Sequence, residues 1–318
     1  MTSDPLAKYT PFIPARKSSE HALKLIIIMV GLPARGKSYL SKQIASYLKS
    51  QNLETEIYNV GNTRRAEDGK QHDASFFSSS NKANVRLREQ FAIHTLTELL
   101  NWLYSDEGDK VAIFDATNST KTRRAALLNV IDNFDATVDY KDTEILFLEN
   151  IVDDEHIIKS NIMSKLLLSP DYNESLDNEY NSTDIHGGVN SMKLSPSQTI
   201  AYQDFQQRLY NYQQVYETID IEELAILKLG SANNNNVKMI KLYNYGGTFM
   251  RAGDISLFNV MTSSQLLQSK KPKQLESTRG YVSKILEFLL GYSYEYATPP
   301  EGETIKQNRI NYHCVISR

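Results

Sequence analysis

Residues 31–38 read GLPARGKS and fit G-x-x-x-x-G-K-[ST], the spacing of a phosphate-binding loop. The two glycines let the backbone fold tightly enough for its N–H groups to converge on phosphate oxygens. Lys37 then reaches the β- and γ-phosphates, and Ser38 offers a hydroxyl to Mg²⁺. The bare pattern arises by chance in about one chain of this length per hundred, so its surroundings decide. LIIIMV at 25–30 precedes it, and KSYLSKQIASYLKS follows, with Leu40, Ile44 and Leu48 at helical spacing. A strand before and a helix after put the loop where a helix dipole adds positive charge. A nucleoside triphosphate is the expected ligand.

Such a loop needs an acidic partner for its metal. VAIFD at 111–115 supplies Asp115 at the carboxyl end of a buried-strand pattern, from which it would hold Mg²⁺ directly or through water. The DATN that contains it is also turn-like, so a capping role coexists with the metal role. Arg64 and Arg65 sit just past a strand end, Arg88 near a helix start, and Arg123 and Arg124 in the first turns after DATN. Helix N-termini disfavour cations on dipole grounds. Strand ends of parallel sheets bind ligands, and arginine forks onto phosphate. A phosphorylated acceptor accounts for several of these arginines at once, although any single one is equally compatible with a solvated surface.

The elements that must position these groups alternate along the chain. After the loop helix the patterning predicts a strand at 54–61, a helix at about 85–104, a strand at 110–118 and a helix at 120–134. A strand at 143–152, a helix at 155–168, a long helix at 201–219 and a last strand at 237–245 follow. Strands separated by helices imply an α/β fold, a doubly wound, mainly parallel sheet with helices on both faces. The polar stretch at about 173–197 reads as a surface insertion, and beyond residue 253 only one helix, YVSKILEFLLGY, is legible. The expected division is an N-terminal extension (1–22), a P-loop domain (23–252) and a C-terminal extension (253–318).

Composition narrows the class. The 318 residues are 41% hydrophobic and 23% charged, a globular balance, and the net charge of −3 argues against a dedicated nucleic-acid binder. Cys314 alone excludes an internal disulfide and suits a reducing compartment. No apolar run reaches a membrane-spanning length. A cytoplasmic protein with no membrane partner is expected, and a homodimer is compatible with the sequence.

GLPARGKSYLSK, YNVGNTRR, VRLREQFA, VAIFDATNSTKTRR, LLSPDY and DFQQRLYNYQQVYETID occur in this order. The set resembles the kinase half of the 6-phosphofructo-2-kinase/fructose-2,6-bisphosphatase family over roughly residues 25–220, with a fainter echo at MIKLYNYGGTFM. The resemblance implies ATP and Mg²⁺ as cofactors and fructose 6-phosphate as acceptor, phosphorylated at its 2-hydroxyl to give fructose 2,6-bisphosphate, a regulator of glycolysis. ATP would be cradled by Gly31, Leu32, Pro33, Ala34, Arg35, Gly36, Lys37, Ser38 and Tyr39, with Asn161 and Lys165 from a second segment. Ser38 and Asp115 would hold the metal, and Lys37 and Asp115 would carry the catalysis. Fructose 6-phosphate would be held by Arg64, Arg65, Arg88, Thr117, Arg123, Arg208 and Tyr212.

The chain also departs from that family. Many members carry a lysine where Leu166 stands, and here the lysine is one residue earlier, at Lys165. One helical step turns a side chain by about 100°, which puts its reach in question. Val152 replaces a common cysteine, and the polar insertion is longer than usual. No histidine follows an arginine, so the bisphosphatase nucleophile motif is absent and a kinase-only chain is expected. Two alternatives stay open: a nucleotide-binding regulatory subunit derived from the kinase, and a P-loop kinase of another small phosphorylated metabolite.

Overall fold

The computed structural model describes residues 22–69, 72–134, 143–168, 170–173, 195–230, 237–243, 255–258, 282, 285 and 288–289. Most of the expected N-terminal extension, polar insertion and C-terminal extension lies outside the described residues. In chain order the elements are β1 (Lys24–Val30), α1 (Lys37–Ser50), β2 (Glu54–Asn59), α2 (Val60–Asp68), a 3₁₀ turn (Ala74–Phe77), α3 (Lys82–Leu103), β3 (Lys110–Asp115) and α4 (Lys121–Asp132). Then come β4 (Thr143–Ile151), α5 (Glu155–Leu168), α6 (Pro170–Asn173), α7 (Pro196–Gln213), α8 (Ile221–Gly230), β5 (Val237–Tyr243) and β6 (Ile255–Phe258).

The strands form one sheet in the order β2-β3-β1-β4-β5-β6. The first five are mutually parallel, and β6 runs antiparallel to β5. β1 is buried along its whole length, as a central strand of a two-faced sheet must be. Its side chains alternate between two cores. Leu25, Ile27 and Met29 pack with Leu40, Ile44 and Leu48 of α1, whereas Ile26, Ile28 and Val30 pack with Leu96, Leu99 and Leu103 of α3. The helical positions Val282, Ile285, Phe288 and Leu289 join the first core, where Phe288 stacks on Tyr47 of α1 with ring centroids 4.8 Å apart. A third, smaller core joins α5 to α7 through Ile162, Leu166, Tyr172 and Phe205.

Five elements were not legible in the patterning: α2, the 3₁₀ turn, α6, α8 and β6. Residues 60–68 form a helix rather than the end of a strand and a loop, so Arg64 and Arg65 are helical. α8 follows α7, and β6 extends the sheet beyond residue 253. Among the described residues, no helix is long and apolar enough to cross a membrane. Because β1 lies between β3 and β4, the chain leaves β1 toward one side of the sheet and β4 toward the other. The crevice this reversal opens at the carboxyl ends of the strands is where open α/β sheets bind ligands.

Candidate active site

The loop at 31–38 occupies that crevice and is held there by the neighbouring strand. Gly31 (φ 138°) donates its N–H to the carbonyl of Thr117 at 2.9 Å. A Cβ at residue 31 would stand 2.6 Å from the Asn150 carbonyl oxygen at the end of β4, so only glycine fits. Asn150 donates to the Arg35 carbonyl (2.5 Å) and Asn161 of α5 to the Ala34 carbonyl (3.0 Å). Asn161 therefore shapes the loop from behind. α1 begins after Gly36 (φ 75°) with no side chain capping its first turn, and the N-terminus of such a helix attracts anions.

Lys37 is buried and donates from Nζ to the Leu32 carbonyl at 2.7 Å. Desolvation pushes its ammonium down to about 7; Asp115 opposes that shift, while Lys165, Arg35 and Arg208 reinforce it. A polyphosphate binding here would draw the proton back. Asp115, 3% exposed at the end of β3, accepts from Asn59 Nδ2 on Oδ2 at 2.5 Å. Among the described residues, neither its other oxygen nor the Ser38 hydroxyl has a hydrogen-bond partner. Two unengaged hard oxygen donors suit Mg²⁺.

Coupled electrostatically to Lys37 through Arg208 is a cluster of arginines gathered by one carboxylate that sequence reading did not single out. Asp171 of α6 accepts from Arg64 (2.6 Å), Arg65 (3.3 Å) and Arg208 (3.4 Å). Burial alone would raise its pKa, but the three guanidiniums outweigh burial and hold it below the usual carboxylate range. Arg64 Nη1 and Arg208 Nε are buried and unpartnered among the described residues, so the cluster keeps donors in reserve. The 3₁₀ turn presents Phe77, over which the Arg208 guanidinium lies 3.7 Å and that of Arg64 5.5 Å from the ring centroid. α7 fixes this turn: Asp204 accepts from the Ala74 N–H (2.7 Å) and the Tyr172 hydroxyl (3.0 Å), and Asn211 donates to the Ala74 carbonyl (2.8 Å).

Arg88 bonds the carbonyl of Phe76 and is coupled electrostatically to Tyr212 and Arg123. Arg123 pairs with Glu89 at 2.6 Å, and Tyr212 lies 5.9 Å from Phe77, centroid to centroid. Thr117 contributes its carbonyl to the Gly31 bond noted above. Arg124, weighed beside Arg123 as a ligand arginine, proves structural. It is fully buried in a two-pronged pair with Glu223 of α8 (2.6 and 2.7 Å) and a bond to the Asn118 carbonyl (2.9 Å).

The register question at Leu166 resolves by packing. Leu166 is 2% exposed in the α5–α7 core, while Lys165 keeps accessible surface. The charge of Lys165 is felt at Lys37, and its own pKa is lowered first by desolvation and then by Arg208, against the pull of Asp115. The earlier lysine is thus coupled by charge to Lys37, Arg208 and Asp115. Of the residues that sequence reading missed, Asp171 lies inside the quoted LLSPDY and Asn59 inside the quoted YNVGNTRR, but neither carried a periodic signal.

A family model described as 6-phosphofructo-2-kinase matches residues 15–192. The chain is 33% identical over 261 residues to a 6-phosphofructo-2-kinase/fructose-2,6-bisphosphatase of Arabidopsis thaliana, covering 81% of this chain and 30% of that one. It is 38% identical over 224 residues to a probable 6-phosphofructo-2-kinase of Schizosaccharomyces pombe, covering 70% and 28%. It is 37% identical over 211 residues to 6-phosphofructo-2-kinase 1 of Saccharomyces cerevisiae, covering 65% and 22%. The matched part thus spans under a third of each relative's own length.

Proposed function

The chain belongs to the 6-phosphofructo-2-kinase family, and on that premise we propose that it transfers the γ-phosphoryl group of ATP to the 2-hydroxyl of fructose 6-phosphate. The observation that carries this reading is an arginine cluster gathered on one buried carboxylate and electrostatically coupled to the lysine of the phosphate loop. Arg64, Arg65 and Arg208 around Asp171, with Arg88 and Arg123 beside them, outnumber their acidic partners and leave buried donors free. That is the chemistry of a second phosphate, carried by the acceptor.

In this reading the 2-hydroxyl oxygen forms a bond to the γ-phosphorus as the β–γ bridge breaks, and the hydroxyl proton is released. Lys37 carries the charge on the β- and γ-phosphates, and Lys165 is coupled by charge both to Asp115 and to Arg208 of the cluster. Ser38 and Asp115 would hold Mg²⁺, which when bound with the nucleotide neutralises charge on its phosphates. Most of the acceleration would come from alignment and charge stabilisation. Leu166 does not weaken the proposal, since it packs the core that seats α7 and its Arg208.

Arg64→Ala tests the acceptor assignment. The KM for fructose 6-phosphate is expected to rise by at least about 10-fold, a charged hydrogen-bond loss of roughly 1.5–3 kcal/mol, with the KM for ATP within about 3-fold. An equal rise in both constants, or in neither, would contradict it.

A further inference from the structure

Asn59 stands at the junction of the two halves of the site. It is the last residue of β2 and the N-cap of α2, the helix that carries Arg64 and Arg65. Its Oδ1 accepts from the Asn62 N–H at 3.1 Å, while its Nδ2 donates to Asp115 Oδ2 at 2.5 Å. The two bonds agree on one orientation of the amide, because only the oxygen can cap and only the nitrogen can donate to a carboxylate. The parallel register of β2 and β3 sets Asn59 directly beside Asp115. Gly61 keeps the space open, since a Cβ there would approach Asn59 Oδ1 to 3.0 Å.

We infer that Asn59 is a positioning residue for Asp115: it engages Oδ2, leaves the other carboxylate oxygen for the metal–nucleotide, and ties that orientation to the helix bearing the acceptor arginines. The inference deepens the kinase reading and rests on it. A hydrogen bond to an ionised carboxylate is short and strong, and it selects one rotation of the group. Outer partners that orient a metal-binding carboxylate are worth about 10–100-fold in affinity or activity.

Asn59→Ser separates this role from helix capping, because serine caps nearly as well as asparagine but is too short to donate to Asp115. The expected result is a kcat lowered about 10–100-fold, with the KM for fructose 6-phosphate within about 3-fold and the melting temperature close to wild type. Affinity for Mn²⁺ in the presence of a non-hydrolysable ATP analogue, read by electron paramagnetic resonance, is expected to weaken about 10-fold. That readout stands even if wild-type protein proves unable to phosphorylate fructose 6-phosphate, so failure of the kinase reading and failure of this one are distinguishable. Asn59→Asp, which keeps a strong cap but sets a second carboxylate against Asp115, is expected to lose at least as much kcat and reads the same role should the serine variant fold poorly. Wild-type kcat and Mn²⁺ affinity in a folded variant would overturn the assignment. So would a parallel loss of kcat, acceptor KM and melting temperature, which is the mark of a capping role alone.

Discussion

Lys37→Met is expected to lower fructose 6-phosphate-dependent transfer by about a thousand-fold, or about 4 kcal/mol of transition-state stabilisation, with the fold preserved. Methionine keeps an unbranched stem in a buried slot and removes only the ammonium. In the free protein that ammonium is already strained by desolvation, its pKa pushed down to about 7, and among the described residues its one hydrogen bond is to the carbonyl of Leu32. Its charge is therefore of little use to the empty fold and of great use to a phosphoryl group in transit, where a fixed positive charge in a dry site does most. The measurement is steady-state turnover beside a thermal melt. Retention of more than about a tenth of wild-type turnover would remove Lys37 from the mechanism.

Glu223→Ala is expected to cost about 3–5 kcal/mol of stability, because it strands a charge that has no access to water. The side chain of Arg124 is 0% exposed and that of Glu223 4% exposed. Among the described residues, removing the carboxylate leaves the guanidinium with only the Asn118 carbonyl. For a domain of this size the loss corresponds to a fall of about 10 °C in melting temperature. The damage would reach the site, since Asn118 (φ 44°) bonds the Met29 carbonyl and its neighbour Thr117 receives the Gly31 N–H. Replacing both partners, Arg124→Leu with Glu223→Leu, is expected to recover most of the loss, because the cost lies in the unpaired charge rather than in the absent bridge. A melting temperature within 2 °C of wild type for Glu223→Ala would contradict this account of the pair.

What the sequence disclosed and what it withheld follow the same physics. β1, β3 and α5 were legible because burial imposes unbroken apolar runs or a clear period on them. α2 was not, because its buried residue is Arg64 and its period therefore carries no hydrophobic signal. α8 was within reach: Asp220 caps it by accepting from the Glu223 N–H at 2.7 Å, and its first turn is acidic, a start signal that hydrophobic patterning alone overlooks. β6 pairs from a four-residue segment, too short for alternation to register.

The site divides in a similar way. Lys37 and Ser38 could be singled out because a phosphate loop demands fixed residue types at fixed spacing, and Asp115 because it ends a buried-strand pattern. The arginines proposed for the acceptor were singled out only through the family resemblance, and the structural role of Arg124 stayed open because a buried structural arginine and a ligand arginine look alike in one dimension. Asp171 and Asn59 act through contacts with residues 107 and 56 positions away, which no local pattern records.

The most direct test of the central proposal is the product formed by the purified protein with ATP, Mg²⁺ and fructose 6-phosphate. The account predicts a fructose bisphosphate whose new phosphate is acid-labile, as a phosphate on the anomeric carbon must be, and which returns fructose 6-phosphate on mild acid treatment. An acid-stable bisphosphate, or no acceptor-dependent consumption of ATP while nucleotide still binds, would contradict it.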